Sequence, residues 1–443
     1  MMTSAGISPD TITHKRVLMV AIPIVISNAT QPILGAVDTG VVGQLGEAAP
    51  IGAVGIGAII IAAVYWLFGF LRMGTSGLVA QARGAGDVPE TGAILMRGLM
   101  IGVAGGLLLV MLQYPLFRGA LAIAPSSPEV EGMALSYLSI RAWGAPAAIA
   151  IFALTGWLIA MERTRAVLLL QVWMNGLNII LDLVFVLGFG WGVSGVAVAT
   201  IIAEWSGLAL GLFLCLPAFA GDQWRDWARV FDRVKIRRMA AVNGDIMIRS
   251  IVLNAMFVTF VFWGAGFGDV TLAANHVLLQ FLEITAYALD GFAFSAEALV
   301  GQALGARNAA SLRRASLLTS FWGAISVGLM AVGFWFGGPY LIDVMATSPE
   351  VRAEGRTYLV WVALAPIVGM AAWMLDGIFI GATRTRAMRQ AAIESLIVYL
   401  IAVWILTSVF DNHGLWLALH VSFVARAITL GLRYPALEAS ARA

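Results

Sequence analysis

Charge is what this chain has least of. Only 12% of its 443 residues are Asp, Glu, Lys or Arg, while 60% are apolar. A water-soluble domain carries about 25% charged residues to solvate its surface, so this composition places the chain in lipid. Lysine is nearly missing: Lys15 and Lys235 are the only two, and every other cation is arginine. One cysteine, Cys215, excludes an internal disulfide framework and a multi-cysteine metal site. The opening segment MMTSAGISPDTITHKR lacks the n-region, h-region and A-x-A order of a cleaved signal. The first apolar stretch is therefore expected to stay as a transmembrane helix. G-x-x-x-x-G-K-[ST] and H-E-x-x-H are both absent, so neither an ATP-binding loop nor a zincin site is expected.

What the chain has is long apolar runs. Twelve reach the roughly 20 residues needed to cross a bilayer: 17–42, 51–71, 93–114, 134–160, 166–189, 193–220, 240–266, 270–300, 315–337, 357–382, 388–410 and 414–435. The expected fold is an all-α polytopic membrane protein of two six-helix bundles, 1–220 and 240–443. Between them, 221–239 is charged and amphipathic and reads as a linker helix on the membrane surface. With the termini and the even-to-odd loops assigned to one side, 23 of the 27 Lys and Arg residues lie there. Arg118, Arg141, Arg352 and Arg356 fall on the other. The positive-inside rule then puts both termini in the cytoplasm.

The chain also repeats itself. Shifted by 221 residues, GLVAQARGAGD (77–87) lies over ALVGQALGARN (298–308), SPEV (127–130) over SPEV (348–351), and AMERTRA (160–166) over GATRTRA (381–387). Six helices separate the copies, so both enter the membrane from the same side. This predicts halves related by an axis along the membrane normal, with a cavity between them.

Ionisable groups inside a membrane are costly and point to function. In the first half Asp38 shares a helix face with Asn28, Gln31 and Gly35, on a helix that Pro23 and Pro32 weaken. Asn175, Asn178 and Asp182 share a face of the fifth helix, and Thr200 lies in the sixth. With the termini inside, Asp38, Asp182 and Thr200 fall at one depth, as a shared site requires. Two carboxylates there could hold a proton, or with amide and hydroxyl oxygens ligate a small cation. The bland alternative is polar contact between helices. The second-half acids Glu283, Asp290, Glu297, Asp376 and Glu394 do not copy this pattern. Asp38 falls over Thr259 and Asp182 over Val403, and all but Glu283 lie toward the arginine-rich cytoplasmic loops. For them, ion pairs that lock the loops are the expectation. His276 and His420 are isolated and read as packing residues.

Two other readings compete. Asn178-x-x-x-Asp182 opens like the N-x-x-x-D-x-x-x-D pattern of membrane prenyltransferases, but the third position is Val186 and no second acidic motif follows. A lipid-linked precursor flippase would want a cationic cavity for pyrophosphate, and no Arg or Lys is placed mid-helix in the first half.

QPILGAVDTGVVGQLG (31–46), LDGFAFSAEALVGQALGARN (289–308) and LDGIFIGATRTRAMR (375–389) resemble the multidrug and toxic compound extrusion (MATE) family, in its DinF-like branch. The resemblance covers essentially the whole chain. It implies a V of two six-helix bundles and antiport of organic compounds against H⁺ or Na⁺. It also implies no other cofactor, no nucleic-acid partner, a monomer, and a place in a bacterial inner membrane. By the same resemblance the helix-one aspartate is Asp38, the bend proline Pro23 and the cavity glutamine Gln31. The helix-five pair is Asn178 and Asp182, and the helix-six threonine is Thr200. The cavity tyrosine of some relatives is Leu34 here, beside Asn28 and Asn175 as cavity candidates.

Overall fold

A computed structural model describes residues 11–44, 48–123, 127–220 and 222–442. Every regular element among them is helical. Ten helical stretches are long and apolar enough to cross a membrane. The difference from twelve has two causes. The first apolar stretch is broken into α1 (His14–Ala29) and α2 (Gln31–Gly43), each too short by itself. Pro23 lies inside α1, and the break falls at Thr30, directly ahead of Gln31 and Pro32. At the other end, α15 (Thr385–Ser440) runs 56 residues, about 84 Å of helix against a core of about 30 Å. It is two helices joined across non-helical backbone at Asp411.

Between these lie α3 (Ala48–Leu67), α4 (Phe70–Gly84), α5 (Val88–Ile123), α6 (Pro128–Arg141), α7 (Ala145–Ala160), α8 (Thr164–Asp182) and α9 (Gly192–Leu214). They are followed by the single turn α10 (Trp227–Val230), then α11 (Arg233–Ala265), α12 (Asp269–Gly305), α13 (Ala309–Met345) and α14 (Pro349–Gly381). Described residues within Ile26–Val79 and Asp87–Met239 form one compact unit. Those within Met1–Val25, Ala80–Gly86 and Ala240–Ala443 form a second.

In the first unit α5 and α7 pack backbone to backbone. Gly98, Gly102 and Gly106 recur every fourth residue, and a Cβ on any of them would overlap Ala153, Ala150 or Pro146. The segment 221–239 is not one helix. Its described residues form a 3₁₀ turn (Asp222–Arg225), then α10, then the start of α11. Two aspartates punctuate it: Asp226 caps α10 by accepting from the Arg229 amide at 3.1 Å. Asp232 accepts from the amides of Lys235 at 3.1 Å and Val234 at 2.8 Å, which hold its carboxyl below the usual range. Buried Arg97 ties the segment down, donating to the carbonyls of Val230 and Arg229 at 2.7 Å each and pairing with Glu90 at 2.8 Å.

The second unit is organised around aromatic pairs, Phe260 on Trp416 and Phe281 on Phe334, and a buried amide pair. Asn275 and Asn412 exchange hydrogen bonds at 2.7 and 3.0 Å, and the Trp416 indole donates to Asn275 at 2.8 Å. His420 is held between the carbonyls of Trp416 and Trp361.

The 221-residue repeat is written in the backbone as well as in the side chains. Ser127 caps α6 by accepting from the Val130 amide, and Ser348 caps α14 by accepting from the Val351 amide. Left-handed backbone recurs at the same offset: Gly86 (φ +74°) and Arg307 (+54°), Glu162 (+56°) and Thr383 (+49°), Gly190 (+70°) and Asp411 (+48°). Within the second unit the copies also meet reciprocally. A Cβ on Gly84 would overlap the Gln302 carbonyl, and one on Gly305 would overlap that of Gln81, so glycine and glutamine each meet the other copy's equivalent at the same 221-residue offset.

Candidate cation site

The site lies wholly inside the first unit. Asp38 projects from α2 and is half-buried; Asn178 and Asp182 come from α8 and are 1% and 0% exposed. Thr200, half-buried, comes from α9. The spacing of four that put Asn178 and Asp182 on one helical face is what aims both inward. The α-helical pattern ends at Asp182, and Leu183–Gly188 continues as a π-helix, a feature that frequently marks functional positions.

The carboxyl groups of Asp38 and Asp182 are within hydrogen-bonding reach of each other. The Asn178 amide donates to Thr200 Oγ1 at 3.3 Å, and that hydroxyl donates to the Val196 carbonyl at 2.9 Å. Asn178 is thereby turned so that its oxygen is free of the bond. Asp38 Oδ1, Asn178 Oδ1 and both carboxylate oxygens of Asp182 are buried, with no hydrogen-bond donor among the described residues. Buried acceptors without donors are expensive. Four together form a small set of oxygens that a proton or a hard cation satisfies.

Among the described residues, no group of three or more His, Cys, Asp or Glu is arranged to hold a metal ion. One turn away, Gln171 donates to Asn175 at 2.9 Å, Asn175 to Thr30 at 2.8 Å, and Thr30 to the Ser27 carbonyl at 2.7 Å. The break between α1 and α2 is thus bonded to α8. Asn28 and Leu34 are half-buried, while Gln31 is exposed.

Sequence reasoning missed the neighbours of this site. Arg141, counted with the outer side as a helix-end arginine, is 5% exposed and forms a two-pronged pair with Glu204, 6% exposed, at 2.8 and 2.9 Å. The Tyr65 hydroxyl donates to the Arg141 carbonyl at 3.3 Å, and the guanidinium lies 5.8 Å from the Tyr65 ring centre. Tyr137, 3% exposed, is within hydrogen-bonding reach of Arg141. Glycines make the room: a Cβ on Gly144 would overlap Glu204 Oε2, and one on Gly57 would come within 2.5 Å of the Tyr137 ring. A lone glutamate in the apolar run of α9 was the available signal for the pair. The sequence places no Arg or Lys mid-helix in the first half; Arg141, in the last turn of α6, is buried all the same, and Glu204 neutralises it, so no uncompensated cationic cavity follows.

The second-half acids are placed differently. Asp376 is bound by Arg249 and lies 3.8 Å from Arg426, all three buried. Glu394 pairs with Arg433 at 2.6 Å. Glu297 is buried, Asp290 half-buried and Glu283 exposed.

A family model described as MatE matches residues 23–184 and 246–430. The chain belongs to the MatE family. It is 36% identical over 430 residues to DNA damage-inducible protein F of Escherichia coli, covering 95% of this chain and 92% of that protein. It is 27% identical to the probable multidrug resistance protein NorM of Bradyrhizobium diazoefficiens, covering 94% and 92%. The crystal structure of the Vibrio cholerae MATE transporter VcmN in the bent form has the same fold, with a TM-score of 0.87 at 19% identity over 97% of each chain. The DinF-like resemblance read from the sequence holds, and the chain is a multi-pass membrane transporter. The prenyltransferase reading of Asn178 and Asp182 falls with that membership.

Proposed function

We propose that this protein is a secondary active exporter that moves small organic compounds, often cationic or amphipathic, out of the cell against an inward flow of H⁺ or Na⁺. The observation that carries this reading is the set of four buried oxygens on Asp38, Asn178 and Asp182 with no donor of their own. Two carboxylates in apolar surroundings repel each other when both are charged. A proton shared between them relieves that repulsion, and so does Na⁺ bound by their oxygens with help from Asn178 and Thr200.

A ligand shifts a conformational equilibrium only through its different affinities for the two states. Cation entry draws Asp38 and Asp182 together, α1 bends near Pro23, and the polar partners of the substrate on this helix pair, Asn28, Gln31 and Asn175 beside Leu34, are withdrawn. The downhill cation then resets the transporter. In this reading the chain crosses a bacterial inner membrane twelve times as a monomer, with both termini in the cytoplasm. α1–α2 count as one crossing and α15 as two. The first half, 1–220, handles the cation, the segment 221–239 lies on the cytoplasmic side, and the half 240–443 completes the path. No organic cofactor takes part.

Purified protein in proteoliposomes, loaded with a dye substrate and given a pH or a Na⁺ gradient separately, tests this. The wild type is expected to expel dye under one gradient, and Asp38→Asn and Asp182→Asn to lose that response. Gradient-driven efflux that survives Asp38→Asn would falsify the mechanism.

A further inference from the structure

The Arg141–Glu204 pair is a buried charge arrangement beside the aspartates that the proposed transport cycle does not use. Both side chains are more than nine-tenths buried, and the two-pronged geometry leaves each carboxylate oxygen with its own guanidinium N–H. Arg141 Nε is buried without a hydrogen-bond partner among the described residues. The pair is also built for: it fits only because Gly144 has no side chain, and Gly57 clears the space for Tyr137 beside it. It lies close enough to the aspartates for the Arg141 charge to act on both Asp38 and Asp182.

The groups around the pair can be named element by element. Arg141 and Tyr137, both from α6, act on the aspartates, while Glu204 from α9 and Tyr65 from α3 hold Arg141 in turn. Among these only Arg141 and Glu204 carry full charges, and Glu204, bonded to the guanidinium, offsets the Arg141 charge that reaches the aspartates. An uncancelled guanidinium here would repel an incoming cation and favour two ionised aspartates. An uncancelled carboxylate would add a third negative charge and hold the cation too firmly to release it. Inside a low-dielectric unit such fields reach well beyond contact distance.

We propose that Arg141 and Glu204 are positioning residues for the Asp38–Asp182 site, a buried pair in which Glu204 holds the Arg141 field in check and so sets how tightly that site holds its cation. The inference rests on the proposed role of the two aspartates.

The test uses the full-length protein in proteoliposomes with ethidium as the organic-cation probe. It measures the concentration of the driving cation that gives half-maximal efflux. Glu204→Gln, which leaves Arg141 uncancelled, raises that concentration about tenfold, and Arg141→Gln lowers it about tenfold. The double variant Arg141→Gln/Glu204→Gln returns it close to the wild-type value. Half-saturation by ethidium at saturating cation stays unchanged in all three. A purely structural pair would instead lower the maximal rate and the melting temperature in every variant, without opposite shifts. If Arg141→Gln fails to fold, Glu204→Gln and the double variant still decide the matter. Single variants that leave the cation dependence unmoved, while Asp38→Asn abolishes driven efflux, overturn this inference alone. Driven efflux in Asp38→Asn overturns the transport reading beneath it.

Discussion

Replacing Asp411 by glycine should make the protein more stable. Asp411 has φ +48° and ψ −129°, a region that side chains with a Cβ rarely enter and that costs about 1–3 kcal/mol when they do. Its repeat partner, Gly190, meets the same demand (φ +70°) with no Cβ. Glycine at 411 removes the clash but returns about 0.5–1 kcal/mol of lost chain entropy. The net expectation is a gain of about 1 kcal/mol. For a unit of roughly 200 residues that corresponds to a rise of about 2–4 °C in melting temperature. Intrinsic tryptophan fluorescence of detergent-purified protein gives the readout, and Trp416 lies five residues away. Asp411→Ala, which keeps the Cβ, is the control and should show no gain. The reciprocal change Gly190→Asp should lose stability by a similar amount. If Asp411→Gly melts lower than wild type, or Asp411→Ala gains as much, the backbone strain assigned to this kink is wrong.

Two further substitutions in the second unit differ in expected size. Asp376→Asn strands Arg249 and Arg426 as buried cations with no carboxylate and should cost about 3–5 kcal/mol. Glu394→Gln breaks a more exposed pair with Arg433 and should cost under about 1 kcal/mol. Equal melting temperatures for these two variants would contradict the burial argument. The Tyr399 hydroxyl is fully buried with no hydrogen-bond partner among the described residues. Tyr399→Phe should therefore be neutral or stabilising by up to about 1 kcal/mol, and a clear loss in the same melt would point to a missed hydrogen bond.

The sequence made some of this legible for definite physical reasons. Asn178 and Asp182 could be placed on one face because helical periodicity is rigid, and Asp38 and Thr200 at the same depth because apolar runs count distance across a bilayer. The repeat was visible because sharp turns constrain side chains: R-T-R recurs at 163–165 and 384–386, directly after the left-handed Glu162 and Thr383. The same offset extends further in the backbone than in the residues, reaching Gly190 and Asp411, where the amino acids no longer match. What stayed hidden depended on side-chain reach. Arg141 falls near the start of the apolar run 134–160 and reads as a helix-end arginine of the outer side, yet the helical path continues through Ala142–Gly144 into α7 and keeps it inside. The break at Thr30 carried only Pro32 as a marker, and its bond to Asn175 joins residues 145 apart.

Gly144 carries a final consequence. It has no charge and no side chain, yet a single added methyl group there would collide with Glu204 Oε2 and drive it off Arg141. Gly144→Ala would therefore act as an electrostatic mutation, altering the field around Asp38 and Asp182 while leaving every ionisable residue in place. Variation at this glycine, harmless on any scale of polarity, should retune the transporter as a change of charge would.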